Sequence, residues 1–273
     1  MPFTLAHPAA VLPMRRALRG WSVFSALLLG SMSPDFAYFL PAPLNTTQTH
    51  SPAALLWFCL PTGVLAFLLF HWVLKRPLAF LLPRAVRCRL SPGRLASSRL
   101  SLALLPKVCL CVTIGAATHL LWDSFTHEGA FFVVRVAALQ TVLVDIADYT
   151  MRAHRVLQHC STLLGLAVLL AATWQGCRAT PACSGDGTEP ISGCARPWIV
   201  SGILLAGCCG AGLARPPVQQ VGGWLGRAQA TAGPAVIAAG QALLCALAVY
   251  VVAWWVLAWR RDSRRADQTG QRR

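Results

Sequence analysis

Five long apolar runs stand out along the chain: Ala53 to Leu74, Ser101 to Trp122, Val156 to Trp174, Pro197 to Ala214 and Ala235 to Trp259. A bilayer core of about 30 Å takes about 20 apolar residues in helical form, so each run predicts a membrane-spanning helix. Their interiors carry almost no charge, the main exception being Lys107, which sits near enough to one end to send its ammonium to the interface. Trp254, Trp255 and Trp259 close the last run, where amphipathic rings favour the headgroup zone. Two shorter segments fit buried or interfacial helices better than spans. Trp21 to Met32 is stopped by Pro34 and Asp35, and Phe131 to Val144 is broken by Arg135 and Gln140. The pattern predicts an all-α fold, a polytopic membrane helix bundle of about five transmembrane helices plus short interfacial or re-entrant helices.

In domain terms, residues 1–174 form a core with three spans, 175–259 add two further transmembrane helices, and 260–273 read as a basic, disordered tail. Composition agrees with a membrane location. The chain is 56% hydrophobic and only 12% charged, whereas a soluble domain is about a quarter charged. What charge remains is basic, 24 Lys and Arg against 9 Asp and Glu, for a net +15. Such an excess fits either nucleic acid or a membrane surface, and its position decides between them.

Eight basic residues lie between Lys75 and Lys107, and six more lie in the tail. With strictly alternating helices these share one side with Arg178 and Arg196, and the positive-inside rule then puts the C-terminus in the cytoplasm and the N-terminus outside. Arg15, Arg16 and Arg19 run against this assignment. The expected partners are therefore membrane lipids, with no nucleic acid required. Arg15 to Gly30 has the outline of a secretory signal, but its basic part begins late and Pro34 crowds the small-residue site, so cleavage is not expected.

In so apolar a chain, histidines and acids near helix ends carry the chemical information. His50 precedes the first span, His119 lies near the exit of the second, and His159 lies at the entrance of the third. Alternation alone puts all three on one side. If Trp21 to Leu40 does not cross, His7 and Asp35 join them. The run Thr118-His119-Leu-Leu-Trp-Asp123-Ser-Phe-Thr-His127 is the sharpest feature. His119 and Asp123 are four apart and share a helix face, so both could reach one cation. His127 is four further on, where a turn of about 80° from His119 works against a three-ligand helix. Imidazoles with carboxylates suit zinc, manganese or iron, while calcium wants more oxygens.

Each piece also has a plain structural explanation. His7 could be an exposed N-terminal residue, Ser33-Pro34-Asp35 a helix cap, and Thr49-His50-Ser51-Pro52 a cap with a proline start. His159 could hydrogen-bond a neighbouring helix. His71, on the opposite side near Lys75, and His154, between arginines in a loop, are assigned structural roles.

Of the 11 cysteines, Cys59, Cys109, Cys111, Cys160, Cys208, Cys209 and Cys245 lie in spans as small apolar residues. Cys177, Cys183 and Cys194 share a loop expected in the reducing cytoplasm, with no zinc spacing; a disulfide among them would put that loop outside. Neither a Gly-rich phosphate loop nor a nucleophile elbow is present.

Several of these segments together resemble a known family. Met-Pro-Phe-Thr-Leu-Ala-His-Pro at the start, Gly-Ser-Met-Ser-Pro-Asp-Phe at 30–36, Thr-His-Ser at 49–51, the 118–127 run and Leu-Gln-His-Cys-Ser-Thr at 157–162 are similar to the bacterial membrane family called domain of unknown function 4184. The likeness covers roughly the first 170 residues. A more distant likeness, through Pro-Asp, Thr-His-Ser and His-x-x-x-Asp, is to inner-membrane metal-dependent hydrolases.

The distant likeness implies His7, Asp35, His50, His119 and Asp123 as metal ligands. Asp123 and His127 then become the expected catalytic groups, and His159 a supporting or proton-transfer residue around the ligands. The expected function is a metal-dependent hydrolase acting at the extracytoplasmic face of the cell's inner membrane on a lipid-like or envelope substrate. Its rival is a transporter or scaffold whose His/Asp cluster is structural. The nearly uncharged span interiors disfavour ion-coupled transport, though Pro61, Gly63 and Pro106 could break helices.

Overall fold

The computed structural model describes residues 4–16, 21–40, 44–90, 102–146, 149–181, 190–214 and 224–270. A 3₁₀ turn at Thr4–Ala6 leads into the short helix α1 (Pro8–Val11), followed by α2 (Trp21–Gly30) and, after a 3₁₀ segment at Ser33–Phe39, by α3 (Thr46–Thr49). Then come α4 (Leu55–Leu81), α5 (Arg84–Arg87), α6 (Leu105–Thr126) and α7 (Ala137–Gln140). A hairpin of β1 (Val142–Ile146) and β2 (Tyr149–Arg152) precedes α8 (Ala153–Ala179), α9 (Arg196–Leu213) and α10 (Trp224–Gly270). Among the described residues, five helical stretches are long and apolar enough to cross a membrane: Leu55–Leu81, Leu105–Thr126, Ala153–Ala179, Gly193–Leu213 and Ala230–Arg264. The predicted helix bundle and its five spans are therefore present, with most span ends a few residues beyond the apolar runs.

Local chemistry explains the boundaries. The Ser51 hydroxyl accepts from the Ala54 amide at 3.3 Å and closes the turn that leads into α4, whose N-cap position, Ala54, has no side-chain cap. Asn45, unnoticed in sequence, caps α3 by accepting from the Thr47 amide at 2.9 Å. Pro61 does not break α4. It follows a wider π turn at Leu55–Cys59, which relieves the clash a proline ring makes with the carbonyl one turn back. Pro106 sits in the first turn of α6, where its missing N–H costs nothing.

The chain divides into two compact units. One comprises Met1–Phe70, Ser97–Ala179 and Pro217–Ala230; the other comprises His71–Ala96, Thr180–Pro216 and Thr231–Arg273. The boundary thus differs from the expected one at residue 174, because residues 71–96 belong with the C-terminal helices. Phe80 is buried in one cluster with Tyr250, Val251 and Trp254, and the Tyr250 hydroxyl donates to the Pro77 carbonyl at 2.9 Å. Trp255 donates its indole N–H to the Val73 carbonyl at 3.0 Å. Of the three tryptophans expected in the headgroup zone, Trp254 is instead a core residue, while Trp259 is exposed. The expected disordered tail is helical as far as Gly270. An apolar helix already nucleated upstream leaves only propagation, and Arg, Ala and Gln propagate well.

In the first unit, α2 lies directly on α6. A side chain at Gly30 would collide with the Val112 backbone, and one at Gly115 with the backbone of Leu27 and Ser31. Small residues allow this approach, as they do between membrane helices generally. Around the contact Val11, Phe24, Leu27, Phe67, Val108 and Val112 form the core. The short apolar segment Trp21 to Met32 is thus a buried helix and is not among the five span candidates. The segment Phe131 to Val144 resolves into turns, α7 and the start of β1.

Candidate metal centre

The Gly115 contact also sets the site, because Gly115 lies one turn before His119. Pressed against α6, the end of α2 offers the Ser31 carbonyl to His119 Nδ1 at 2.8 Å. The same α6 face brings Asp123 alongside, its Oδ2 3.2 Å from His119 Nε2. The 3₁₀ segment after α2 carries Asp35, and the end of α3 carries His50. His50 Nε2 lies 3.2 Å from Asp35 Oδ1 and 3.7 Å from Asp123 Oδ2. Asp35 Oδ1 is in turn 3.6 Å from His119 Nε2. His7, just before α1, stacks its ring on His119 with centroids 3.6 Å apart and planes at 16°. Its Nε2 is 3.6 Å from Asp123 Oδ1.

All five expected ligands, His7, Asp35, His50, His119 and Asp123, therefore meet at one place. His7 is 4% exposed, Asp35 3%, His119 0% and Asp123 7%. An exposed N-terminal His7 and a capping Ser33-Pro34-Asp35 are both ruled out: Ser33 donates back to the Gly30 carbonyl at 2.8 Å and Asp35 is buried.

Two ring orientations carry the chemistry. His119 Nδ1 faces a carbonyl oxygen, and so does His50 Nδ1, 2.9 Å from the Thr46 carbonyl. A carbonyl only accepts, so each Nδ1 carries a proton and each Nε2 is turned toward carboxylate oxygens, that of His50 within hydrogen-bond distance of Asp35 Oδ1 at 3.2 Å. Lone pair facing anion at 3.2 Å is repulsive unless a proton or a cation lies between. A metal-bound histidine usually has its other ring nitrogen held by a backbone carbonyl or a carboxylate in this way. The spacing also fits, since bonds of about 2.0–2.2 Å in tetrahedral array separate ligand atoms by roughly 3.3–3.6 Å. Buried His7 Nε2, His119 Nε2, Asp35 Oδ2 and Asp123 Oδ1 have no hydrogen-bond partner, a cost that native interiors rarely bear. Two overlapping sets, His7 with His119 and Asp123, and Asp35 with His50 and His119, have ligand atoms all within 4.8 Å.

The local electrostatics follow from burial and from these contacts. Burial holds His7 down to about 3, helped by neighbouring His119 and opposed by Asp123 and Asp35. For Asp35 burial pushes upward, but the His50 hydrogen bond, the charge of His119 and the Thr4 hydroxyl outweigh it and bring the carboxyl to about 2. His127 is also lowered, by burial first, with Asp123 opposing.

His127 does reach the cluster, its Nδ1 3.5 Å from Asp123 Oδ1. The 80° helical offset does not apply. α6 stops at Thr126, and His127 takes an extended conformation with φ −105° and ψ 137°, which swings its ring back. His159 is not brought in. It is exposed on α8, whose buried face carries His154, Gln158, Ser161 and Gly165, and it has no contact with the cluster among the described residues. His154 lies in the first turn of α8, not in a loop, with Nδ1 3.0 Å from the Leu139 carbonyl. His71 is buried and belongs to the second unit.

Three neighbours escaped the sequence: Thr4 beside Asp35, the Ser31 carbonyl, and Tyr38, whose ring lies 6.3 Å from that of His50. Burial and the charge of Asp35 push the Tyr38 phenol up to about 12. Thr4 and Ser31 belong to quoted motifs, but a main-chain acceptor leaves no side-chain signal. Cys177 and Cys194 are free thiols, Cys177 within α8 and not in a loop; Cys183 lies outside the described residues.

No curated protein and no solved structure matches the chain. The motif resemblance stops near residue 170, yet the family match runs to residue 259, within the last span, and so takes in the final helices. The chain belongs to the family described as Domain of unknown function (DUF4184), whose model matches residues 1–259.

Proposed function

We propose that the protein is a membrane-embedded, metal-dependent hydrolase with its site at the extracytoplasmic end of the helices, acting on a lipid-like or envelope substrate. The observation that carries the reading is the convergence of His7, Asp35, His50, His119 and Asp123, with Nε2 of His50 and of His119 each turned to a carboxylate at 3.2 Å. Three imidazoles with two carboxylates suit zinc, manganese or iron. A divalent cation held there supplies Lewis acidity toward a phosphoryl or carbonyl oxygen and a water acidic enough to react near neutral pH.

The remaining roles fall to the chain. His127, half open to solvent with its side chain 33% exposed, takes the proton of the attacking water and returns it to the departing alcohol. His50, with its side chain 21% exposed, marks the open side, whereas a purely structural centre would be closed. The extracytoplasmic location rests on the basic residues between Lys75 and Lys107 and in the tail.

Metal analysis of the purified protein tests the reading. Wild type is expected to retain zinc, manganese or iron in whole-number proportion, and His119→Ala to lose at least ten-fold in metal affinity. Equal, substoichiometric metal in both proteins would sink it.

A further inference from the structure

Two sets of three residues within the cluster bring their ligand atoms within 4.8 Å of one another: His7 with His119 and Asp123, and Asp35 with His50 and His119. The sets compete, because His119 belongs to both, its Nδ1 is committed to the Ser31 carbonyl at 2.8 Å, and one Nε2 binds one ion. Hydrogen bonding separates them. His50 and Asp35 are already partnered: His50 Nδ1 meets the Thr46 carbonyl at 2.9 Å, and its Nε2 lies within hydrogen-bond distance of Asp35 Oδ1 at 3.2 Å. The buried cluster atoms with no hydrogen-bond partner are His7 Nε2, His119 Nε2, Asp123 Oδ1 and Asp35 Oδ2. An ion on the first set answers the first three and leaves the bond between His50 and Asp35 intact. An ion on the second set displaces that bond and strands His7 Nε2 and Asp123 Oδ1, a state that buried polar atoms rarely occupy. The geometry agrees, since His7 stacks on His119 with both Nε2 atoms turned to the Asp123 carboxylate, 3.6 Å from Oδ1 and 3.2 Å from Oδ2 respectively.

We propose, resting on the metal-centre reading above, that one divalent cation sits on His7, His119 and Asp123 and staples the N-terminal segment to α6, while Asp35 and His50 stay a hydrogen-bonded pair beside it and are not ligands. His119 and Asp123 share one face of α6, whereas His7 comes from the junction of the 3₁₀ turn at Thr4–Ala6 with α1. The segment around His7 also rests on α8, where a Cβ added at Gly165 would come within 3.0 Å of the Ala6 carbonyl oxygen, and it enters the core through Val11. The ion adds the bond that ties this segment to α6. Two imidazoles and one carboxylate are three protein ligands, the number that leaves a fourth position open in catalytic zinc sites. An ion that binds only the docked arrangement stabilises that arrangement, so metal occupancy governs how tightly residues 4–11 are held.

Cobalt(II) is the probe, because its visible spectrum reports binding directly. The full-length protein in detergent, stripped with chelator and reloaded with cobalt, is expected to hold one ion per chain. His7→Ala is expected to lose the ion, whereas His50→Ala and Asp35→Asn keep it, with thermal unfolding showing that each variant is folded. Hydrogen–deuterium exchange on wild type alone gives the second measurement: loading with cobalt slows exchange of the amides in residues 4–11, and chelator restores it. An ion kept by His7→Ala, or lost from folded His50→Ala, overturns the ligand assignment and leaves the metal-centre reading intact. Exchange in residues 4–11 that cobalt does not change overturns the staple, again without touching that reading. No cobalt bound to wild type overturns both.

Discussion

His7 shows how a single side chain ties the chain end to the site and makes the fold acid-sensitive. It is 4% exposed, stacked on His119, and held down to about 3, first by burial. In the unfolded chain it titrates near 6.5, so between about pH 3 and 6.5 the unfolded state binds the extra proton and stability rises with pH. Asp35, depressed from 3.8 to about 2, acts in the same direction but only in that lower window. In chelator-treated protein, where no ion masks these groups, thermal stability is therefore expected to be full above pH 6.5 and to fall on acidification toward pH 4. One proton corresponds to at most about 1.4 kcal/mol per pH unit. His7→Gln should flatten that slope in a melting series across pH. An unchanged slope would show that His7 is not the group responsible.

At the level of elements, the seat of the site is the contact between α2 and α6. Gly30 and Gly115 let the two backbones touch, and Ser31, immediately beyond α2, then meets His119 one turn past Gly115. Gly115→Val drives a branched side chain into the backbone of Leu27 and Ser31, where no flexible atom can yield. Overpacking of this kind costs about 1–3 kcal/mol. The expected outcome is a lower unfolding temperature together with loss of bound metal, although position 115 touches no ligand ion. Gly212→Val in α9, where nothing lies within 4 Å of an added Cβ, serves as the control and should keep both. If Gly115→Val retained metal and stability, the helix contact would not be what positions the ligands.

For the whole molecule, the distribution of base predicts orientation. Sixteen of 24 basic residues fall on the side assigned to the cytoplasm, and the His/Asp cluster falls at the opposite ends of the helices. A fluorescent protein fused after Arg273 should therefore glow, and alkaline phosphatase inserted after Glu128, close to His127, should be active. The reverse pattern would move the site to the cytoplasmic face and with it the class of substrate it meets. The same scale explains why the two compact units do not follow the boundary expected at residue 174. Residues 71–96 join the C-terminal helices through Phe80, Tyr250 and Trp254, a packing choice that hydropathy along the chain does not encode.

The spans were legible because a bilayer demands about 20 apolar residues in succession, a one-dimensional requirement. The His/Asp cluster was legible for a related reason: buried His and Asp are rare in apolar chains, and helix parity alone put His50 and His119 on one side. Sequence also placed His159 there, and on that residue it misled. Parity says which end of a helix a residue occupies, whereas the packed face of α8 turns His154, Gln158 and Ser161 inward and leaves His159 exposed. His127 shows the converse, since an offset of about 80° from His119 holds only along a continuous helix and this one ends at Thr126. Sequence by itself thus determined the membrane character of the chain and which polar residues share an end. Tertiary structure decided which of them touch, through the glycine contact of α2 on α6, and set the ring orientations, because the orienting groups at Ser31 and Thr46 are backbone carbonyls common to every residue.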